Sequence, residues 1–86
     1  MEAEAEGFIL YLATERGLSS AYQLSVQQTL DALAAYLRKR SLPLADVGTD
    51  ELSAFLAERK TAGLAASSLR IATVHLKVFF RWLAGR

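Results

Sequence analysis

Apolar residues recur along most of this chain at helical intervals, and the breaks between those intervals are short. Between Ala3 and Arg16, Phe8, Ile9 and Leu12 share one side of a predicted helix. Gly17 ends it as a residue free to take the left-handed backbone that helix termini use. Ser19 or Ser20 is the natural N-cap of a second helix reaching about Arg40. Its stripe Val26, Leu30, Leu33 and Leu37 follows the i, i+4, i+7, i+11 spacing of an amphipathic helix. Ser41-Leu42-Pro43-Leu44 breaks the pattern, because Pro43 lacks an N–H and pushes Leu42 out of the helical region. Thr49 then offers a capping hydroxyl, and Asp50 and Glu51 offer first-turn carboxylates, to a third helix. That helix turns Leu52, Phe55 and Leu56 inward and closes at Gly63. A fourth starts at Ser67 or Ser68 and runs to about Leu83.

The fourth helix has three distinct sides. Leu69, Ala72, Leu76, Phe79, Phe80 and Leu83 make an apolar face, and Arg70, Lys77 and Arg81 make a basic one. Ile71, His75, Val78 and Trp82 form a third stripe, again at i, i+4, i+7, i+11. In a small bundle one helix can be central, so this stripe either packs on the first helix or docks something outside the chain. Aromatic stripes at helical spacing are usually core, which favours packing for Val78 and Trp82. With short connections, no internal repeat and no strand-like alternation, the expected fold is all-α: a compact four-helix bundle, one domain over residues 1–86.

Eighty-six residues suffice for one modest core. The absence of Cys excludes a disulfide framework, a thiolate metal site and a cysteine nucleophile. Met1 to Glu6 is acidic where a secretory signal would be basic, and Phe8 to Leu12 is too short an apolar run for a signal or a membrane span. A cytoplasmic protein without membrane contact is therefore expected. His75 is the only histidine, so no histidine pair can ligate a metal or share acid–base work. There is no Gly-rich phosphate loop, and the reading includes no cofactor, metal or small-molecule ligand.

Net charge is +1, but its distribution is uneven. Glu2, Glu4, Glu6 and Glu15 outweigh Arg16 in the first segment, the first three suiting a solvated, dipole-compensating first turn. Arg38, Lys39 and Arg40 outweigh Asp31 in the second. Asp46, Asp50, Glu51 and Glu58 outweigh Arg59 and Lys60 in the third. Residues 64–86 hold Arg70, Lys77, Arg81 and Arg86 and no acid. A polyanion should meet the second and fourth segments together, unless Arg38 to Arg40 simply complement a helix C-terminus.

Phe8-x-x-Tyr11-Leu12-x-x-Glu15-Arg16-Gly17-Leu18-Ser19, followed by a long helix, resembles the start of tyrosine recombinases of the Xer and phage-integrase type. So do Leu44-x-x-Val47 with Thr49-Asp50-Glu51-Leu52-x-x-Phe55-Leu56, then Gly63-Leu64-Ala65-x-x-Ser68, and finally Leu76-Lys77-x-Phe79-Phe80-Arg81-Trp82-Leu83. The four pieces cover nearly the whole chain in order. The resemblance implies the N-terminal core-binding domain, a SAM-like fold that clamps one side of duplex DNA while a separate domain does the chemistry. It implies double-stranded DNA and other recombinase subunits as partners. It places DNA contacts at Ser19, Tyr22 and Ser25 on the second helix, and at Ser67, Ser68, Ile71, His75 and Lys77 on the fourth. Arg70 joins these as a phosphate contact from the basic face. Where the family has Thr, Tyr and Asp along the second helix this chain has Tyr22, Val26 and Thr29, and Ile71 stands where a basic residue is common. The expected DNA face is thereby poorer in positive charge, so this chain alone should bind weakly.

Catalysis is not expected here. Tyr11, Tyr22 and Tyr36 lack the Arg and His cluster that a nucleophilic tyrosine needs around the transferring phosphate. The chain stops at Leu83-Ala84-Gly85-Arg86, where the family's linker to a catalytic domain begins, implying an isolated domain of a longer protein. The competing function is a protein-interaction module docking through Ile71, Val78 and Trp82.

Overall fold

Each helix in the computed structural model, which describes residues 1–85, begins or ends on chemistry visible in its flanking residues. The elements are α1 (Glu2–Thr14), α2 (Ser20–Lys39), α3 (Thr49–Thr61) and α4 (Ala66–Gly85), with a short 3-10 turn at Leu44–Asp46 behind Pro43. Ser19 is extended and its hydroxyl accepts from the Tyr22 N–H at 3.2 Å, so α2 is capped as expected. α3 is capped differently. Gly48, not Thr49, is its N-cap, and the Glu51 carboxylate accepts from the Gly48 N–H at 2.6 Å. Only the half of the capping box that needs no N-cap side chain is used. α4 starts with the Leu69 N–H bonded to the Ala65 carbonyl, so Ser67 and Ser68 lie within its first turn rather than ahead of it.

The helix ends use left-handed residues. Gly17 has φ 61°, and α1 stops at Thr14, two residues before Arg16. Gly63, at φ 105°, closes α3 with its own N–H on Lys60 and the Leu64 N–H on Arg59. The same pair of bonds closes α2, with the Ser41 N–H on Arg38 and the Leu42 N–H on Leu37, yet Ser41 sits at φ 53° with a side chain. A serine thus occupies a position that suits glycine.

α4 touches all three other helices and α1 also rests on α2, so α4 is the central element. The core is Phe8 and Leu12 of α1, Val26, Leu30, Leu33, Tyr36 and Leu37 of α2, Phe55 of α3, and Leu76 and Phe79 of α4. The α2 stripe is buried in full, as its spacing predicts. Phe79 meets Phe8 edge-on with centroids 5.3 Å apart, and Trp82 lies 5.4 Å from Phe8 and 6.1 Å from Tyr11. Gly7 permits that approach, since a Cβ there would stand 3.2 Å from Trp82 Cη2. Trp82 and Val78 are half-buried against the core, so the third stripe of α4 packs inward over its C-terminal half. Ile71, at its N-terminal end, stays exposed.

Candidate nucleic-acid interface

α2 and α4 run antiparallel along a shared seam. Leu18 and Tyr22 lie with Val78 and Trp82, while Thr29 and Ala32 lie with Ser68, Ile71 and Ala72. Midway, the Ser25 Oγ stands 2.9 Å from His75 Nε2, joining residues fifty apart in sequence. The Tyr22 ring meets the His75 ring edge-on, with centroids 5.2 Å apart at 79°. Outside this seam an open groove of about 410 Å³ is lined by Tyr22, Ser25, Arg70, Ile71, Val74 and His75. It continues past Ile71 into a second hollow walled by Gln28, Thr29, Arg59 and Ser68.

The electrostatics of the groove are one-sided. Its lining includes Arg70 from α4 and Arg59 from α3 and no Asp or Glu. His75 is only 4% exposed, and its burial holds the imidazole pKa below the ordinary 6.5, so the ring is neutral near pH 7. Its Nδ1 is buried without a hydrogen-bond partner among the described residues. If Nε2 accepts from the Ser25 hydroxyl, Nδ1 carries an unmatched proton; if Nε2 donates, Nδ1 is a bare acceptor. Either way the bond to Ser25 is the polar tie of a buried ring.

The structure gathers most of the residues expected to meet DNA. Tyr22, Ser25, Ser68, Arg70, Ile71 and His75 all line the groove. Ser67 is exposed beside Ser68 in the first turn of α4, and Ser19 is exposed at the start of α2. His75 forms the floor rather than the rim. Lys77 is exposed but lies about 160° around α4 from His75, on the opposite flank. Thr29, one of the α2 positions where the chain departs from the family pattern, lines the groove too, and Arg59, Gln28 and Val74 line it without having been foreseen. Val74 could have been found, since helical geometry puts it between Arg70 and Ile71. Arg59 could not, because only tertiary packing brings α3 here.

The second basic segment does not join this groove. Arg38 lies thirteen residues beyond Ser25 on the same helix, about 20 Å along its axis. Arg40 stacks over the Tyr36 ring at 3.8 Å and pairs with Glu58. The basic residues of α2 and α4 therefore sit apart, contrary to the expectation from segment charges. Arg86 lies outside the described residues.

Among the described residues no helix is long and apolar enough to cross a membrane, and no three His, Asp or Glu side chains gather as a metal site. A helical bundle with a groove flanked by Arg59 and Arg70 and lined by no acid defines the class as a small all-α module. Residues 5–86 match the family model of the phage integrase N-terminal SAM-like domain, and the chain belongs to that family. It is also similar to the tyrosine recombinase XerC of Herpetosiphon aurantiacus, 31% identical over 87 residues. The match covers 100% of this chain and 28% of that relative, so the chain spans less than a third of its length. No solved structure matches the chain.

Proposed function

We propose that this chain binds double-stranded DNA through the α2–α4 groove, as the non-catalytic clamping module of a longer site-specific tyrosine recombinase that assembles with other subunits. The observation that carries the reading is the groove's lining, with Arg59 and Arg70 present and no carboxylate. Such a cleft attracts a polyanion and repels nothing in it. The antiparallel seam adds a geometric argument. The N-terminus of α4 lies beside Gln28 to Ala32, about 13 Å along α2 from its own N-terminus. That separation is close to the roughly 12 Å width of the DNA major groove. Free amides and the hydroxyls of Ser19, Ser67 and Ser68 can then hold phosphates on the two walls, since helix N-termini favour anions. Tyr22, Ser25 and Ile71 face the base edges between them, over His75, while Lys77 lies on the far flank of α4, away from the groove. The docking alternative through Ile71, Val78 and Trp82 loses two of its three residues to internal packing.

The test is fluorescence anisotropy with a random-sequence duplex over a range of salt, comparing the chain with Arg70→Ala and Lys77→Ala. Binding should weaken as salt rises, and Arg70→Ala should lower the salt slope by about 0.9, as expected for one phosphate contact. Lys77→Ala should change it less. Absence of salt-dependent binding at low ionic strength would refute the proposal.

A further inference from the structure

One stretch of the groove is unlike the rest. Between Arg70 and His75 its accessible wall is apolar, formed by Ile71 (51% exposed), Val74 (53% exposed) and the half-buried ring of Tyr22. The polar groups beneath are occupied or enclosed, because Ser25 Oγ is bonded to His75 and His75 is buried. This stretch can offer a base little direct hydrogen bonding. It offers contact area to an apolar group, at the edge of a cleft whose charge selects a polyanion.

On the major-groove edges of B-DNA the apolar group is the C5-methyl of thymine, every other feature there being a hydrogen-bond donor or acceptor. Resting on the DNA-binding reading above, we infer that Ile71 and Val74 are specificity-determining residues that pack on thymine methyl groups. Arg70 sits one residue before Ile71 and on the same groove, so a phosphate held by its guanidinium would bring a neighbouring base edge over the pair. Selectivity then comes from burying methyl groups, and it favours thymine over any pyrimidine that lacks one. Each contacted methyl is worth roughly fourfold in affinity, from the transfer free energy of one buried carbon unit.

The experiment compares alternating dA–dT duplex with alternating dA–dU duplex of the same length, by anisotropy at fixed salt. The two carry identical phosphate charge and pairing and differ only in the methyl. The thymine duplex should bind more tightly by roughly fourfold per methyl engaged. In the Ile71→Thr, Val74→Thr variant that ratio should collapse towards one, while the salt slope, set by phosphate contacts that the variant leaves intact, stays as in the parent chain. Both positions are exposed, so the variant should fold, and circular dichroism checks that it does. Equal binding of the two duplexes by the parent chain would overturn the inference and leave the DNA-binding reading standing. No salt-dependent binding to either would overturn both. Self-association in the absence of DNA, abolished by the double variant, would assign the apolar wall to a second copy of the chain and overturn the inference.

Discussion

Replacing Ser25 with Ala removes the hydrogen-bond partner of His75 Nε2 and leaves a buried imidazole whose other nitrogen is already without one. Leaving a buried polar group unsatisfied costs about 1–3 kcal/mol. Ser25 itself is only half-buried, so water can partly replace its hydroxyl, and about 1–2 kcal/mol is the expected loss. A domain of this size has a total stability of roughly 4–13 kcal/mol, so the variant should fold with a melting temperature lower by about 4–16 °C. His75→Leu changes the outcome, because a leucine in that place needs no partner. In that background Ser25→Ala should cost little, giving a coupling energy of about 1–2 kcal/mol in a double-mutant cycle. Urea unfolding of the four proteins, with the denaturant slope checked for constancy, measures it. If Ser25→Ala costs the same with and without His75, the pair is not the polar tie described here.

Two further predictions follow from the same geometry. Ser41→Gly relieves a side chain at φ 53° in the closing turn of α2. The left-handed conformation costs a non-glycine residue roughly 1–2 kcal/mol. Added freedom of glycine in the unfolded chain offsets roughly 0.4–1 of that. The variant should therefore be more stable by about 0.5–1 kcal/mol in urea unfolding, and a destabilised variant would contradict the turn geometry. Acid should destabilise the chain through His75, whose folded pKa is lowered by burial. Above about pH 6.5 the imidazole is neutral both folded and unfolded, and its contribution is constant. As pH falls below that, the unfolded chain takes up a proton that the buried ring resists, and stability drops until the folded pKa is passed. The melting temperature of wild type minus that of His75→Leu should fall between about pH 8 and about pH 5. Parallel curves would show that the ring is not held neutral.

The helices were legible because their apolar residues repeat, as with Val26, Leu30, Leu33 and Leu37, and a repeated pattern survives an error at any one position. Single-residue features were not. Thr49 carries the hydroxyl that capping rules favour, but the backbone turns one residue earlier, where Gly48 relies on Glu51 instead. The 3-10 turn at Leu44–Asp46 is too short to show any period. Trp82 was readable as core from its stripe, though the reason it fits, the bare backbone of Gly7 on α1, is a contact between the two ends of the chain. The candidate site divides in the same way. Tyr22, Ser25, Ser68 and Ile71 were legible through the family resemblance, position by position, and Arg70 through the basic face of α4. The polar partner of His75 is a serine fifty residues away, and the place of Arg59 depends on how α3 packs. Neither leaves a local trace.

The separation of the two basic segments also sets the strength of the proposed interaction. With Arg40 held by Tyr36 and Glu58, and Arg38 about 20 Å along α2 from Ser25, the groove itself presents Arg59 and Arg70. Two phosphate contacts correspond to a salt slope of roughly −1.8, so a fourfold rise in salt weakens binding by only about tenfold. Proteins making six to ten such contacts lose about 10³ to 10⁵ over the same change. If the proposal holds, a chain with so few contacts should clamp DNA weakly by itself. On the proposed reading, tight binding by the parent requires phosphate contacts from the other parts of a protein of which this chain covers a fraction like the 28% it spans in its recombinase relative. On that reading the division of labour would be physical: other domains would supply most of the electrostatic affinity, and this groove, short of charge and apolar along one wall, would contribute discrimination.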